Sequence, residues 1–274
     1  DCGEWTAIVL AGERPDGDSL ARELGVSAKA LIEIGGKTML SRVVQALLDS
    51  SKIRHVLVLA QRIDLIAASE PSDVLSDSRV ELAQSGNGIA TSIEAVIGSN
   101  EAPWPVLVTT ADNALLTPER VDEFLGQVSQ VDVAVGLGER SIVERDFPET
   151  RRTWLRFSDG HFSGANLFAL KNTRCLPAVK HWQAVEQDRK KGLKLIASFG
   201  PALLFRVLTR TIGLKDGLAE AGQKIGFDAK AVILDAEAPI DVDKKEDIEL
   251  VERILARRPV KLVHSNRRDR VFVS

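Results

Sequence analysis

Residues 6–29 read TAIVLAGERPDGDSLARELGVSAK, and the reading of this stretch decides the fold. An apolar run at 7–10 stops at Ala11-Gly12 and gives way to a charged loop holding Glu13, Arg14, Asp16, Gly17 and Asp18; Lys29 then precedes the next apolar run. A buried strand that empties into a glycine-bearing, cation-bearing loop is a candidate phosphate site, because ligands collect at strand ends in open α/β sheets.

Outward from this stretch the same alternation repeats. Strand-like runs at 7–10, 53–60, 80–83, 106–110 and 131–137 alternate with helical patterns at 39–48, 89–97 and 118–128. This rhythm of crossover units predicts an α/β fold with a mostly parallel sheet and helices on both faces. After Gly138 the rhythm changes: 139–161 is charged and irregular, 162–170 (FSGANLFAL) returns to a strand pattern, and 173–222 is helix-rich. A final strand at 231–234 leads through Ile240-Asp241-Val242-Asp243 into a helix at 245–256. The expectation is one domain over 1–274, with its core at 6–137 and 231–256 and a largely helical elaboration at 139–230. No Pro/Gly/Ser-rich linker, repeat or low-complexity segment interrupts it.

Composition excludes several classes. The 274 residues are 44% hydrophobic and 27% charged with a formal net charge of −3, which is ordinary globular material without a general nucleic-acid field. Cys2 and Cys175 form neither a metal-ligand pattern nor a disulfide framework, which favours a reducing compartment. No apolar segment approaches the roughly 20 residues that cross a bilayer. The start, DCGEW, lacks a signal-peptide pattern, so a cytoplasmic location is expected.

The candidate chemistry lies at strand ends. Asp112 closes the apolar run at 106–111 and is followed by Thr117-Pro118-Glu119, a helix entry with Thr117 as cap. A strand-tip carboxylate backed by apolar structure suits a hard cation such as Mg²⁺; an Asx turn is an equal reading of the same residue. Asp241 and Asp243 stand at alternate positions, so on extended backbone both side chains point to one side and are able to complete that site. Asp243 reads equally as a helix cap, whereas for Asp241 the ligand reading is the better one. Arg14 and Lys29 supply the opposite charge for phosphate oxygens. A second glycine loop, Gln84-Ser85-Gly86-Asn87-Gly88-Ile89-Ala90-Thr91-Ser92, opens a helix; it is either a tight turn with a cap or a rest for a base or ribose. The four histidines, His55, His161, His181 and His264, have neither ligand nor triad spacing.

Taken together, these segments resemble the MobA-like NTP transferases, relatives of the sugar-nucleotide pyrophosphorylases. Leu10-Ala11-Gly12-Glu13-Arg14, Ala28-Lys29 and Gly36-Lys37-Thr38-Met39-Leu40 match the opening motif. Ala90-Thr91-Ser92-Ile93 matches the nucleotide-side helix start, Asp112 the metal aspartate, and residues 241–248 (DVDKKEDI) the closing acidic motif. The second loop glycine is missing, the spacer from Arg14 to Lys29 is long, and Ala28 replaces a proline. The resemblance implies a three-layer Rossmann-like fold of the GT-A type, and in-line transfer of NMP from an NTP, CTP or GTP, to a phosphate or hydroxyl acceptor with release of pyrophosphate.

On that resemblance Asp112 with Asp241 or Asp243 would hold Mg²⁺, and Arg14 and Lys29 would neutralise the departing pyrophosphate. Leu10, Ala11, Gly12, Gln84, Gly86, Gly88 and Ser92 would line the nucleotide. Gly164 and Asn166, in a stretch of small residues, are the acceptor candidates. Trp182, the cations 189–194 and the apolar Leu203-Leu204-Phe205 form either a solvated basic helix or a surface for a lipid-linked acceptor and a peripheral membrane contact. A glycosyltransferase of related fold and a catalytically silent nucleotide-binding protein are the alternatives.

Overall fold

A computed structural model describes residues 4–12, 17–71, 73–86, 88–128, 131–186 and 196–258. The strands in chain order are β1 (Trp5–Leu10), β2 (Glu33–Ile34), β3 (Lys37–Thr38), β4 (Ile53–Ala60), β5 (Val80–Gln84), β6 (Val106–Thr110), β7 (Val133–Glu139), β8 (Leu155–Phe157), β9 (Gly160–Leu170) and β10 (Ala229–Leu234). The helices are α1 (Ser19–Glu23), α2 (Met39–Leu48), α3 (Ile63–Ser69), α4 (Ile89–Val96), α5 (Pro118–Gly126), α6 (Arg140–Asp146), α7 (Leu176–Glu186), α8 (Pro201–Leu208), α9 (Leu214–Ile225) and α10 (Lys245–Arg257).

The main sheet runs β10-β7-β9-β6-β1-β4-β5, with β8 paired to β9 at the side. β1 is parallel to both β4 and β6, and β4 and β7 are parallel to β5 and β10. β9 alone runs antiparallel, against β6, β7 and β8. β1 explains why the fold is legible: Ala7, Ile8 and Val9 are fully buried, with Ala7 and Val9 in one apolar cluster and Ile8 in another. A parallel strand covered on both faces carries a near-continuous apolar run, here 7–10, although Thr6 is buried too.

The two faces are covered by different helices. Leu40, Val43 and Leu47 of α2 and Val121 and Phe124 of α5 pack on one face. Ile93 and Val96 of α4 and Val179 of α7 pack on the other, giving three layers. A third cluster joins Leu250, Val251 and Ile254 of α10 to Ile240, Val242 and the β2-β3 hairpin. Gly35 and Gly36 turn that hairpin with φ of 56° and 75°, which side chains resist.

The 139–230 stretch is helix-rich as expected, but it also supplies a central strand. β9 lies between β6 and β7, so the sheet is continuous only through this segment. Residues 139–161, which read as irregular, contain α6 and β8. α6 buries Val143 alone, too thin an apolar stripe to give a period.

Candidate functional site

Chain order reverses at β1: β4 and β5 extend the sheet to one side, and the chain then crosses back so that β6 lies on the other. Open α/β sheets bind ligands at the carboxyl ends of strands where the order reverses. Ala11 and Ala111 continue β1 and β6 at that crevice. The Ala11 amide donates to the Leu59 carbonyl at 2.9 Å and the Ala111 amide to the Leu10 carbonyl at 3.0 Å. Gly12 and Asp112 follow immediately.

Three distant segments meet here. The Nζ of Lys29 donates to Oδ2 of Asp112 at 2.8 Å and to Oδ1 of Asp243 at 2.6 Å. The Val242 amide donates to the Asp112 carbonyl at 3.2 Å, fastening the 241–243 segment to the tip of β6. Burial pulls the Lys29 pKa down, but the two carboxylates outweigh it and hold the ammonium above its ordinary value.

Asp241 is placed differently from its two neighbours. Its Oδ1 pairs with the Arg152 guanidinium, its Oδ2 accepts from Nδ2 of Asn166 at 3.0 Å, and its carbonyl accepts from Arg152 at 2.7 Å. Burial pushes the Asp241 pKa up, Arg152 opposes that, and Asp112 and Asp243 push it further up. Asn166 reaches Asp241 because it adopts φ 51° where the β7-β9 register slips, a conformation that Asn tolerates. Gly164, two residues earlier, is exposed, with open space where a Cβ would stand.

Of the two roles open to Asp243, cap and ligand, the cap falls to another residue. Lys244 is the N-cap of α10, and it is the Asp247 carboxylate that accepts from the amides of Asp243 and Lys244, at 3.0 and 2.9 Å. The Asp243 carboxylate is thereby left for Lys29, with about half of its side chain exposed. Thr117 does cap α5, accepting from the Arg120 amide at 3.2 Å.

Fit to a cation is mixed in form. Among the described residues no cluster of three His, Cys, Asp or Glu side chains is drawn together tightly enough to hold a metal ion. Yet Oδ1 of Asp112 is buried and accepts no hydrogen bond. An orphaned carboxylate oxygen beside a second carboxylate suits a hard cation, and the Lys29 ammonium now stands between the two. The neighbouring Asn113 turns its Nδ2 inward to the Thr109 hydroxyl and the Ala165 carbonyl, while its Oδ1 is buried and accepts no hydrogen bond.

The second glycine loop forms the other wall. Ser92 accepts from the Gly86 amide at 3.0 Å and donates to the Gly88 carbonyl at 2.6 Å, so it shapes the loop from within. Gln84 is exposed at the end of β5. Gln61 joins the two loops: its Nε2 donates to the Gly86 carbonyl at 3.4 Å, and a Cβ at Gly12 would come within 3.0 Å of its amide. Arg14 lies outside the described residues, as do the cations 189–194 and the tail beyond Arg258.

Sequence reading missed Arg152 and Gln61. Arg152 sits in the charged stretch at 139–161, where nothing distinguishes it from Arg151 or Arg156. Gln61 follows β4, and its position becomes meaningful only once β4 is known to lie beside β1.

Comparison with known proteins bears on the family and the fold. Residues 7–199 match the MobA-like NTP transferase domain. Over 110 residues the chain is 31% identical to the 2-C-methyl-D-erythritol 4-phosphate cytidylyltransferase of Photorhabdus laumondii, covering 38% of this chain and 44% of that protein. A hypothetical transferase from Thermus thermophilus superposes with a TM-score of 0.72 and 27% identity, over 89% of this chain and 98% of the other. A CMP:2-keto-3-deoxy-manno-octonic acid synthetase complexed with CTP superposes at a TM-score of 0.56 and 14% identity, over 93% and 99% of the two chains, and shares the fold.

Proposed function

We propose that the chain, which belongs to the MobA-like NTP transferase family, transfers CMP from CTP to a phosphate or hydroxyl oxygen of a small acceptor. An acceptor oxygen attacks the α-phosphorus in line, the bond to the β-phosphate breaks, and pyrophosphate departs. The observation that carries this reading is the Lys29 ammonium held between Asp112 and Asp243 at the sheet's reversal point. The choice of CTP rests on the cytidylyltransferase relative and on the CTP-bound structural neighbour.

Each residue has a task that follows from its surroundings. Lys29, freed from the carboxylates as substrate binds, neutralises the pyrophosphate oxygens; Arg14 is proposed to join it there. The Gly12 and Gly88 backbones, on the two loops that Gln61 touches, offer amides to the nucleotide. Asp112 and Asp243 would hold Mg²⁺, which supplies Lewis-acid activation and charge neutralisation when bound. Asp241, with both oxygens engaged, orients Asn166 and Arg152 on the acceptor side, where Gly164 leaves room for close approach.

The test is pyrophosphate release from CTP, GTP, UTP and ATP with Mg²⁺ and a panel of phosphorylated alcohols and sugars. Release that is fastest with CTP and lost in Asp112→Asn, with unchanged thermal unfolding, is the expected result. Nucleotide binding without release across the whole panel would support the silent reading. Sugar transfer with release of a nucleoside diphosphate would support a glycosyltransferase.

A further inference from the structure

A second cavity, of about 370 Å³, lies on the opposite side of β9 from the α5 layer, under α7, α8 and α9. Its floor is the sheet, with Val135 and Leu137 of β7 and Phe162 and Phe168 of β9; Leu203 and Val207 of α8 form part of its roof. Protein interiors are close-packed and seldom leave such a volume, which falls in the range of small-molecule pockets. Among the described lining residues only His181 and the Trp182 ring N–H bring polar atoms. A sugar, nucleotide or peptide group placed there would lose its hydrogen bonds to water without replacement, whereas a hydrocarbon would restore the wall's lost contacts.

Two further observations give the ligand a polar end and a route of entry. The His181 ring lies against Phe199 with centroids 4.6 Å apart, and its Nε2 is 2.7 Å from the Ser198 hydroxyl, a polar pair at the cavity wall. α8 is apolar on two sides: Leu203 and Val207 face the cavity, while Phe205 and Leu208 are 66% and 57% exposed. A soluble helix normally keeps one apolar stripe.

We propose that this chamber binds the single aliphatic chain of an amphiphile, acyl or prenyl, with its polar head at the His181–Ser198 edge. The chain lies between the sheet and α7 to α9, and α8 with Phe205 and Leu208 is the side from which it enters. The proposal stands apart from the nucleotide reaction, since Asn166 leaves the cavity-facing row of β9 through its left-handed turn toward Asp241.

The test uses the full chain and 11-bromoundecanoate, whose bromine quenches nearby indoles; the chain has four tryptophans, of which Trp182 lines the cavity. Saturable quenching with one-to-one stoichiometry is expected, abolished in Trp182→Phe and weakened about tenfold or more by the filling variant Ala221→Phe. Ala178→Leu fills the opposite wall and serves if Ala221→Phe loses its circular dichroism. Competition by dodecanoate or by farnesol supports the proposal and identifies the chain type. Absence of saturable quenching, or equal quenching in Trp182→Phe, overturns it whatever the nucleotide assays give.

Discussion

Arg152 holds Asp241 at two points: its guanidinium pairs with the Asp241 carboxylate and also donates to the Asp241 carbonyl at 2.7 Å. The carboxylate that the sequence favours as a metal ligand is thus already neutralised, and Asn166 takes its second oxygen. The same contacts fix the backbone that carries Asp243. Arg152 is therefore read as a positioning residue for the acidic segment.

Removing Arg152 leaves a mostly buried carboxylate without its counter-charge, held by Asn166 alone. Arg152→Ala should lower stability by about 3 kcal/mol, the range for breaking one side of a buried pair. Arg152→Lys should recover only part of it, because an ammonium cannot reproduce the fork. Thermal or urea unfolding of the two variants measures this, and equal stability of wild type and Arg152→Ala would refute the positioning role.

The three aspartates should separate in metal response. Asp112→Asn and Asp243→Asn are expected to lower pyrophosphate release by about 10²-fold or more, with a raised Mg²⁺ requirement, as loss of a ligand or charge clamp would do. Asp241→Asn should lower it by about 10- to 100-fold through orientation, with little change in the Mg²⁺ midpoint. A Mg²⁺ titration of each variant distinguishes them; an Asp241→Asn enzyme with the largest shift in midpoint would reverse the assignment.

Lys29 is the counter-ion of two carboxylates before it is a phosphate ligand. Lys29→Met should destabilise the free protein by about 2–3 kcal/mol, since Asp112 and Asp243 then face each other uncompensated. Added Mg²⁺ should restore more stability to Lys29→Met than to wild type, because the cation then meets no resident ammonium. A melting temperature insensitive to Mg²⁺ in the variant would contradict the shared site.

Asp122 of α5 ties that helix to the turn before β4, accepting from the Ser50 hydroxyl at 2.5 Å and the Ser51 hydroxyl at 2.8 Å. Burial raises its pKa, but these bonds outweigh burial and leave it below the ordinary carboxylate value. A group depressed in the folded state stabilises above its unfolded pKa, and that contribution is lost as pH falls through the folded value. Asp122→Ala should cost about 1–2 kcal/mol at neutral pH, with the difference from wild type shrinking in acid. Urea unfolding at neutral and acid pH measures the change; a pH-independent difference would exclude the carboxylate as its source.

The sequence by itself determined the layers and singled out the charged residues that the fold then brings together. Strands buried on both faces carry near-continuous apolar runs, here 56–60 and 106–108, so 53–60 and 106–110 read as strands with their observed ends, as did the amphipathic helix at 39–48. Asp112 stood out at the tip of β6, Lys29 just before an apolar run and Asp243 just before the last helix, because charge interrupts apolar sequence there. What only the tertiary structure decided was which charges meet. Lys29 and Asp243 are 214 residues apart, and their contact depends on the reversal of strand order at β1 and on one backbone bond from Val242 to Asp112. The division of labour between Asp241 and Asp243 came from Arg152, an unremarked arginine in a charged stretch, and from the left-handed turn at Asn166. Alternation along an extended chain places both carboxylates on one side, but the partner that neutralises one of them arrives from another part of the fold, which local periodicity does not encode.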